Sequence, residues 1–294
     1  MLPAEVVRQI RRLQLRARRA VEDLLGGEYH SVFKGTGLSF EEVREYQPGD
    51  DVRSIDWNVT ARMGTPFIKR YVEERERTLI LMVDVSGSQG FGTRRHPKRA
   101  VAAELAALLS FSAIHNNDRV GLITFSDEIE QFVPPGKGVR HALRLIREIL
   151  FHQAKRAGTS LVTGLDFLQK VQRKRAIVFL MSDFLDAGFE RTLRLAARRH
   201  DLTVVRVEDP LEADLPAVGL LQVEDVETGR QSVVDTGNAA AREIFRAQAK
   251  QRREEVAKLA RGASLDLIEV GTDGDHLDAL VRFFQRRERR RRRR

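Results

Sequence analysis

The chain has 294 residues, 42% apolar and 32% charged, with 8 Pro, 21 Gly and no Cys. This composition excludes wholesale disorder, and the lack of cysteine excludes a disulfide framework, a thiolate zinc site, an iron–sulfur centre and a cysteine nucleophile. The net charge of +9 belongs to the ends. The last nine residues hold eight Arg and one Glu, and the first 25 hold six Arg against three acids, which leaves −1 for the body between them. No apolar run approaches the roughly 18 residues of a membrane span, and the N-terminus lacks the apolar core of a secretory signal. The expectation is a soluble, cytoplasmic protein.

Residues Ala4–Leu25 carry an apolar stripe at helical spacing filled out with Arg, stopped by Gly26-Gly27. Residues 28–77 are rich in turn signals, such as Pro48-Gly49-Asp50-Asp51 and Met63-Gly64-Thr65-Pro66, and hold the single Trp57. Ser39-Phe40-Glu41-Glu42 has capping-box spacing and predicts a short helix to about Tyr46. This segment is expected to pack on the domain that follows.

From Thr78 the pattern changes to short apolar runs, at 79–83, 120–125, 176–181, 202–207 and 265–270, alternating with helical stretches at 97–114, 139–150, 161–171, 189–199, 239–260 and 276–284. That alternation marks a doubly wound, mostly parallel α/β sheet with helices on both faces. A β-hairpin is expected within about 217–235, and residues 285–294 read as an Arg-rich tail with a solvated, disordered end.

Ligands of doubly wound sheets sit beyond the carboxyl ends of the strands. The first apolar run ends in Asp84-Val85-Ser86-Gly87-Ser88, the run 176–181 ends in Ser182-Asp183, and Thr159 precedes the helix from Leu161. All lie at one rim. Hydroxyls and carboxylates without His or Cys suit Mg²⁺ first, with Mn²⁺ or Ca²⁺ as alternatives, rather than zinc. Each residue also has a plainer reading, Asp84 and Asp183 as turn residues and Thr159 as a helix cap. Their joint placement favours the metal site.

The set Asp84-x-Ser86-x-Ser88, Thr159 and Asp183 resembles the metal-ion-dependent adhesion site of von Willebrand factor A-like domains. The flanking Gly49-Asp50-Asp51-Val52-Arg53-Ser54-Ile55-Asp56-Trp57, Thr60-Ala61-Arg62, Tyr71–Glu76 and the stretch around Asp225–Gly229 are similar to the bacterial family known as domain of unknown function 58. The resemblance implies that Asp84, Ser86, Ser88, Thr159 and Asp183 hold a divalent ion whose open position takes a partner's carboxylate. It also implies an adaptor role beside a MoxR-type AAA+ ATPase. Asp50, Asp51 and Arg53 are expected to cap and pair a tight turn on which Trp57 packs, and Glu73–Arg77 to form a solvated strand face.

No phosphate-binding Gly-Lys loop, dinucleotide fingerprint or nucleophile elbow is present, and the seven histidines show no metal or triad spacing. The alternative is a Mg²⁺-dependent phosphoryl hydrolase on the same rim, which lacks a nucleophile once both aspartates are ligands. The Arg286–Arg294 run would contact polyanions at low salt.

Overall fold

The computed structural model describes residues 4–22, 29, 32–33, 39–72, 76–93, 96–152, 158–226 and 229–292. The chain divides into two compact units, one of residues 1–32 and 78–294 and one of residues 33–77.

The N-terminal helix α1 (Ala4–Ala20) belongs to the larger unit. Its Ala17 and Ala20, with Val21 beyond, are buried, and Arg16 on its outer side reaches Glu104 at 2.8 Å. The Gly26-Gly27 stop lies outside the described residues.

In the smaller unit, β1 (Ser39–Glu45) is a strand, not the expected helix. It pairs antiparallel with β2 (Phe67–Val72), Val43 opposite Lys69 and Glu45 opposite Phe67. A Ser-x-x-Glu spacing is a local signal, and the cross-strand ladder outweighs it because no apolar face repeats at helical period here. Arg44 grips Asp50 with two bonds of 2.9 and 2.8 Å, and Gln47 N–H adds one of 2.8 Å. The guanidinium and the backbone bond hold the Asp50 carboxyl below its ordinary value. Asp51 caps the 3-10 turn Val52–Ser54, and Asp56 caps helix α2 (Trp57–Met63) through Asn58 and Val59 N–H. Asp50 and Asp51 therefore do the pairing and capping expected of them, and Asp56, for which no such role was expected, caps as well. Trp57 does not pack: it is 67% exposed. The half-buried side of α2 is instead Val59 and Thr60, whose hydroxyl accepts Phe67 N–H at 3.0 Å. Of the expected strand face at Glu73–Arg77, residues Glu73–Arg75 lie outside the described residues.

The central sheet contains β3 (Thr78–Asp84), β4 (Arg119–Phe125), β5 (Ile129–Gly136), β6 (Ile177–Ser182), β7 (Asp201–Glu208) and, last in the chain, a strand at Asp266–Gly271. Between β3 and β7 run α3 (Lys98–His115), α4 (Val139–Phe151), α5 (Leu161–Val171) and α6 (Glu190–Arg199). After β7 come the short α7 (Pro210–Ala213), a hairpin of β8 (Leu220–Glu224) and β9 (Gln231–Asp235), the long α8 (Ala239–Gly262), β10 (the Asp266–Gly271 strand) and α9 (His276–Arg292). The order is β10-β7-β6-β3-β4-β5, parallel throughout except for β5, which returns antiparallel to β4. The doubly wound, mostly parallel α/β architecture is the one expected.

Residues 79–83 of β3 are at most 1% exposed, as a strand covered on both faces requires. Ile80 and Met82 join one core cluster with Leu165 and Leu168 of α5, Leu193 of α6 and Val256 of α8. Alternation sends Leu79, Leu81 and Val83 to the opposite face, where α3 is buried continuously from Val101 to Ala113. Gly164 of α5 permits close packing, since a Cβ there would lie 3.0 Å from the Phe125 ring.

Helix α9 runs past Phe284 to Arg292, so the described part of the Arg run is helical rather than a disordered end. Arg287 pairs with Asp201, and Arg290 meets Asp266 at 2.7 Å. These acids begin β7 and β10, and such long-range pairs give the Arg run a framework that its composition does not advertise.

Candidate metal centre

Asp84 ends β3 and is 1% exposed. Its Oδ1 accepts Ser86 N–H at 2.9 Å, an Asx-turn that folds the chain over the strand end into the 3-10 turn Gly87–Gly90. Its Oδ2 accepts the Ser182 hydroxyl at 2.7 Å. Val83 of β3 pairs with Met181 of the neighbouring parallel strand β6, so Ser182 ends that strand level with Asp84 and Asp183 emerges one residue beyond, at the same rim. Ser88 Oγ donates to Asp183 Oδ2 at 2.7 Å and lies 3.3 Å from Ser86 Oγ. Four of the five expected residues therefore meet in one hydrogen-bonded cluster.

Thr159 sits half-buried on the loop before α5. Ser160 N–H anchors that loop to Ser126 O at 2.8 Å, just past β4 and thus at the same end of the sheet. The helix cap is Ser160, not Thr159, since Ser160 Oγ accepts Thr163 N–H. Asp186, from the loop after β6, accepts Leu161 N–H at 2.8 Å and ties the loops carrying Thr159 and Asp183 together.

Sequence reasoning missed the residues that balance this cluster. Lys98, the first residue of α3, is fully buried, and its Nζ donates to Asp183 Oδ2 at 2.7 Å and to Glu212 Oε1 at 2.6 Å. Burial acts to lower the Lys98 pKa, but the Asp183 and Glu212 charges outweigh it and hold it above the ordinary value. Gln89 Nε2 adds a third donor to Asp183 Oδ2 at 3.1 Å. A lysine in the first turn opposes the helix dipole, and that local conflict was the available signal that a carboxylate waits nearby. Glu212 is held by a capping box on α7, where its Oε2 accepts Asp209 N–H at 2.9 Å.

Burial first, and then the charge of Asp183, push the Asp84 carboxyl up to about 7, against the lowering bonds from Ser86 and Ser182. Phe184 next to Asp183 adopts φ 57°, a strained conformation for a bulky residue. Its N–H is held by Ser182 Oγ at 3.1 Å and its ring packs 5.8 Å from Phe189.

The donors present fit a small, hard divalent cation. They are two carboxylates in mutual repulsion and serine hydroxyls, with no imidazole or thiolate in the cluster. Among the described residues no group of three or more His, Cys, Asp or Glu is placed to hold a metal, and any ion here would depend on the hydroxyls. The cavity bordering the cluster, lined by Asp183, Phe184, Leu185 and Glu212 among others, measures about 130 Å³. That is below the few hundred Å³ typical of small-molecule sites. A larger cavity of about 460 Å³ lies past the ends of β7 and β10. Its charged walls are spent on one another, with Arg253 on Glu208 and Arg206 on Glu208 and Glu269.

Fold and rim together define an α/β domain with an oxygen-donor cluster beyond its central strands. The family described as "protein of unknown function DUF58" matches residues 42–255, and the chain belongs to that family. It is 34% identical over 285 residues to the uncharacterized protein Rv1480 of Mycobacterium tuberculosis, covering 95% of this chain and 89% of that one. Among solved structures it resembles the conserved hypothetical protein BatB from Bacteroides thetaiotaomicron, with a TM-score of 0.47 and 15% identity over 72% of this chain and 99% of that one. It also resembles the mussel byssus proximal thread matrix protein 1 with a zinc-occupied MIDAS motif, with a TM-score of 0.35 and 17% identity over 46% and 38% of the two chains. No described helix is long and apolar enough to cross a membrane.

Proposed function

We propose that the chain is a non-enzymatic protein-interaction module that binds an acidic side chain of a partner through a divalent cation. Asp84, Ser86, Ser88, Thr159 and Asp183 would hold the ion, Mg²⁺ in the first place, with Mn²⁺ or Ca²⁺ as substitutes. The ion supplies a local positive charge with room for a further oxygen ligand. The supporting observation is the chain of hydrogen bonds that runs from Asp84 through Ser86 N–H, Ser86 Oγ and Ser88 Oγ to Asp183. The serine hydroxyls are neutral donors, so they leave an ion's charge available to an incoming carboxylate. The partner proposed from the family is a MoxR-type AAA+ ATPase, with the complex located in the cytoplasm.

The phosphoryl-hydrolase alternative draws less support. Both aspartates are engaged with hydroxyl, amide or ammonium donors, and the adjoining cavity of about 130 Å³ leaves little space for a substrate.

The experiment is binding of the purified chain to the purified MoxR-type ATPase from the same source, with Mg²⁺ and with EDTA. Binding lost in EDTA and in Asp84→Ala, with circular dichroism unchanged, is the expected result. Equal binding under both conditions by wild type and Asp84→Ala would sink the proposal.

A further inference from the structure

The outer edge of β10 is open: β10 ends the strand order, and among the described residues no strand pairs with its far side. Such an edge presents unpaired backbone N–H and C=O groups. Helix α9 runs back antiparallel to β10 over one face of the sheet, where its Phe283 ring lies 5.9 Å from that of Phe179 in β6. His276 lies 3.1 Å from Gly271 O at one end, and Arg290 meets Asp266 at 2.7 Å at the other. Between strand and helix lies a groove of about 400 Å³, walled by Leu267, Ile268 and Glu269 of β10 and by Arg282, Arg286 and Arg289 of α9.

The three arginines recur at four- and three-residue steps, so they share one helix face. Arg286 and Arg289 make no ion pair among the described residues. Arg282 has only the exposed Asp278, one turn back at 2.6 Å. The one acid on the groove wall, Glu269, is drawn off by Arg206 at 2.7 Å. The groove therefore combines an open strand edge with positive charge that is left unpaired at Arg286 and Arg289 among the described residues.

We infer that this groove binds an extended, acidic segment of a partner protein by strand addition to β10, its carboxylates meeting Arg282, Arg286 and Arg289. The two arginine steps advance about 6 and 4.5 Å against about 6.6 Å for two residues of an extended strand, a mismatch that long arginine side chains can span. Acids at alternate positions of the added strand then face the arginine row while its backbone completes the sheet. Single-stranded nucleic acid is the lesser fit, because the groove offers no aromatic platform for bases. This surface lies apart from the rim and stands whether or not the rim holds an ion.

The test is fluorescence anisotropy of the full chain, in EDTA, with a labelled peptide of about ten residues in which Glu and Thr alternate. Two changes separate strand addition from bulk charge: N-methylation of alternate peptide nitrogens, and Arg286→Glu with Arg289→Glu in the protein. Each is expected to weaken binding by about tenfold or more, because one removes edge hydrogen bonds and the other reverses the charge. Unchanged affinity of the N-methylated peptide would overturn the inference, and so would displacement by an equally charged oligothymidylate at lower concentration than unlabelled peptide. Absence of any peptide binding would overturn it too, without bearing on Mg²⁺-dependent capture at the rim.

Discussion

Lys98→Met removes a buried ammonium and keeps most of the side chain's length and apolar volume. Lys98 is 0% exposed and sits 2.7 Å from Asp183 and 2.6 Å from Glu212. At an effective dielectric near 20 each contact is worth about 6 kcal/mol of Coulomb energy, and several kcal/mol of desolvation per ion offset it. The net worth of the triad is therefore modest, but breaking it is costly, because two carboxylates remain without their cation. The expected loss is about 3–5 kcal/mol. At roughly 3 °C per kcal/mol for a domain of this size, Tm falls by about 10 °C. The assay is urea denaturation in EDTA of wild type, Lys98→Met, Glu212→Gln and the double variant. Glu212→Gln on top of Lys98→Met should restore part of the loss, giving a coupling of about 1–3 kcal/mol. A loss below about 1 kcal/mol for Lys98→Met, or additivity in the cycle, would refute the reasoning that this ammonium is what makes the carboxylates tolerable.

Burial, then the charges of Arg199 and Arg175, lower His200 to about 4, so between pH 6.5 and 4 the unfolded chain binds a proton that the folded chain refuses. Stability should fall by about 3 kcal/mol across that window as pH drops, and His200→Gln should flatten the slope in denaturation at successive pH values. His276 has the opposite sign: burial disfavours its charge, but Glu104 at 3.0 Å and Gly271 O at 3.1 Å prevail and raise its pKa. Its contribution is full below about pH 6.5 and is lost as pH rises through the folded value, so His276→Asn should cost most in acid and least in alkali. Gly164→Ala should lower stability by about 1 kcal/mol instead of adding helix propensity, because the new Cβ would meet the buried Phe125 ring; a raised Tm would contradict this. Asp209→Asn should cost about 2–4 kcal/mol in the same denaturation assay, since the buried carboxylate accepts Thr93 N–H, Thr93 Oγ1, Thr272 Oγ1 and Leu211 N–H, and an amide NH₂ would face donors; a loss under about 1 kcal/mol would count against that network.

The sheet was legible because its strands are unbroken apolar runs, a pattern that burial on both faces imposes locally. The Asp84-to-Ser88 loop and Asp183 were legible for a related reason: a strand's end fixes which side of the sheet its next residue reaches. What escaped was non-local. β1 forms because β2 pairs with it, not because of anything within Ser39–Glu45. The Asp209-Pro210-Leu211-Glu212 capping box was readable as a helix start, but its second use, holding Glu212 against Lys98 across more than a hundred residues, was not. Arg287 and Arg290 looked like solvent-facing charge until Asp201 and Asp266 appeared opposite them.

Charge balance at the rim connects these missed residues to the proposed binding. With Asp84, Asp183 and Glu212 ionised and Lys98 protonated, the cluster carries a formal −2. Burial first, and then the Asp183 charge, push Asp84 toward its neutral form, and a nearby cation would favour the ionised form instead. A divalent ion would bring the formal sum to zero. Without Lys98 the loaded rim would keep a net −1 and would repel the partner carboxylate that the proposal requires. On this reading the lysine need not touch the partner to matter: it lets the ion's field, rather than the rim's excess acid, meet the incoming side chain. For the proposed site, the same arithmetic favours serine hydroxyls over further carboxylates at Ser86 and Ser88. Replacing either with Asp would tighten the ion while cancelling the charge that a partner reads.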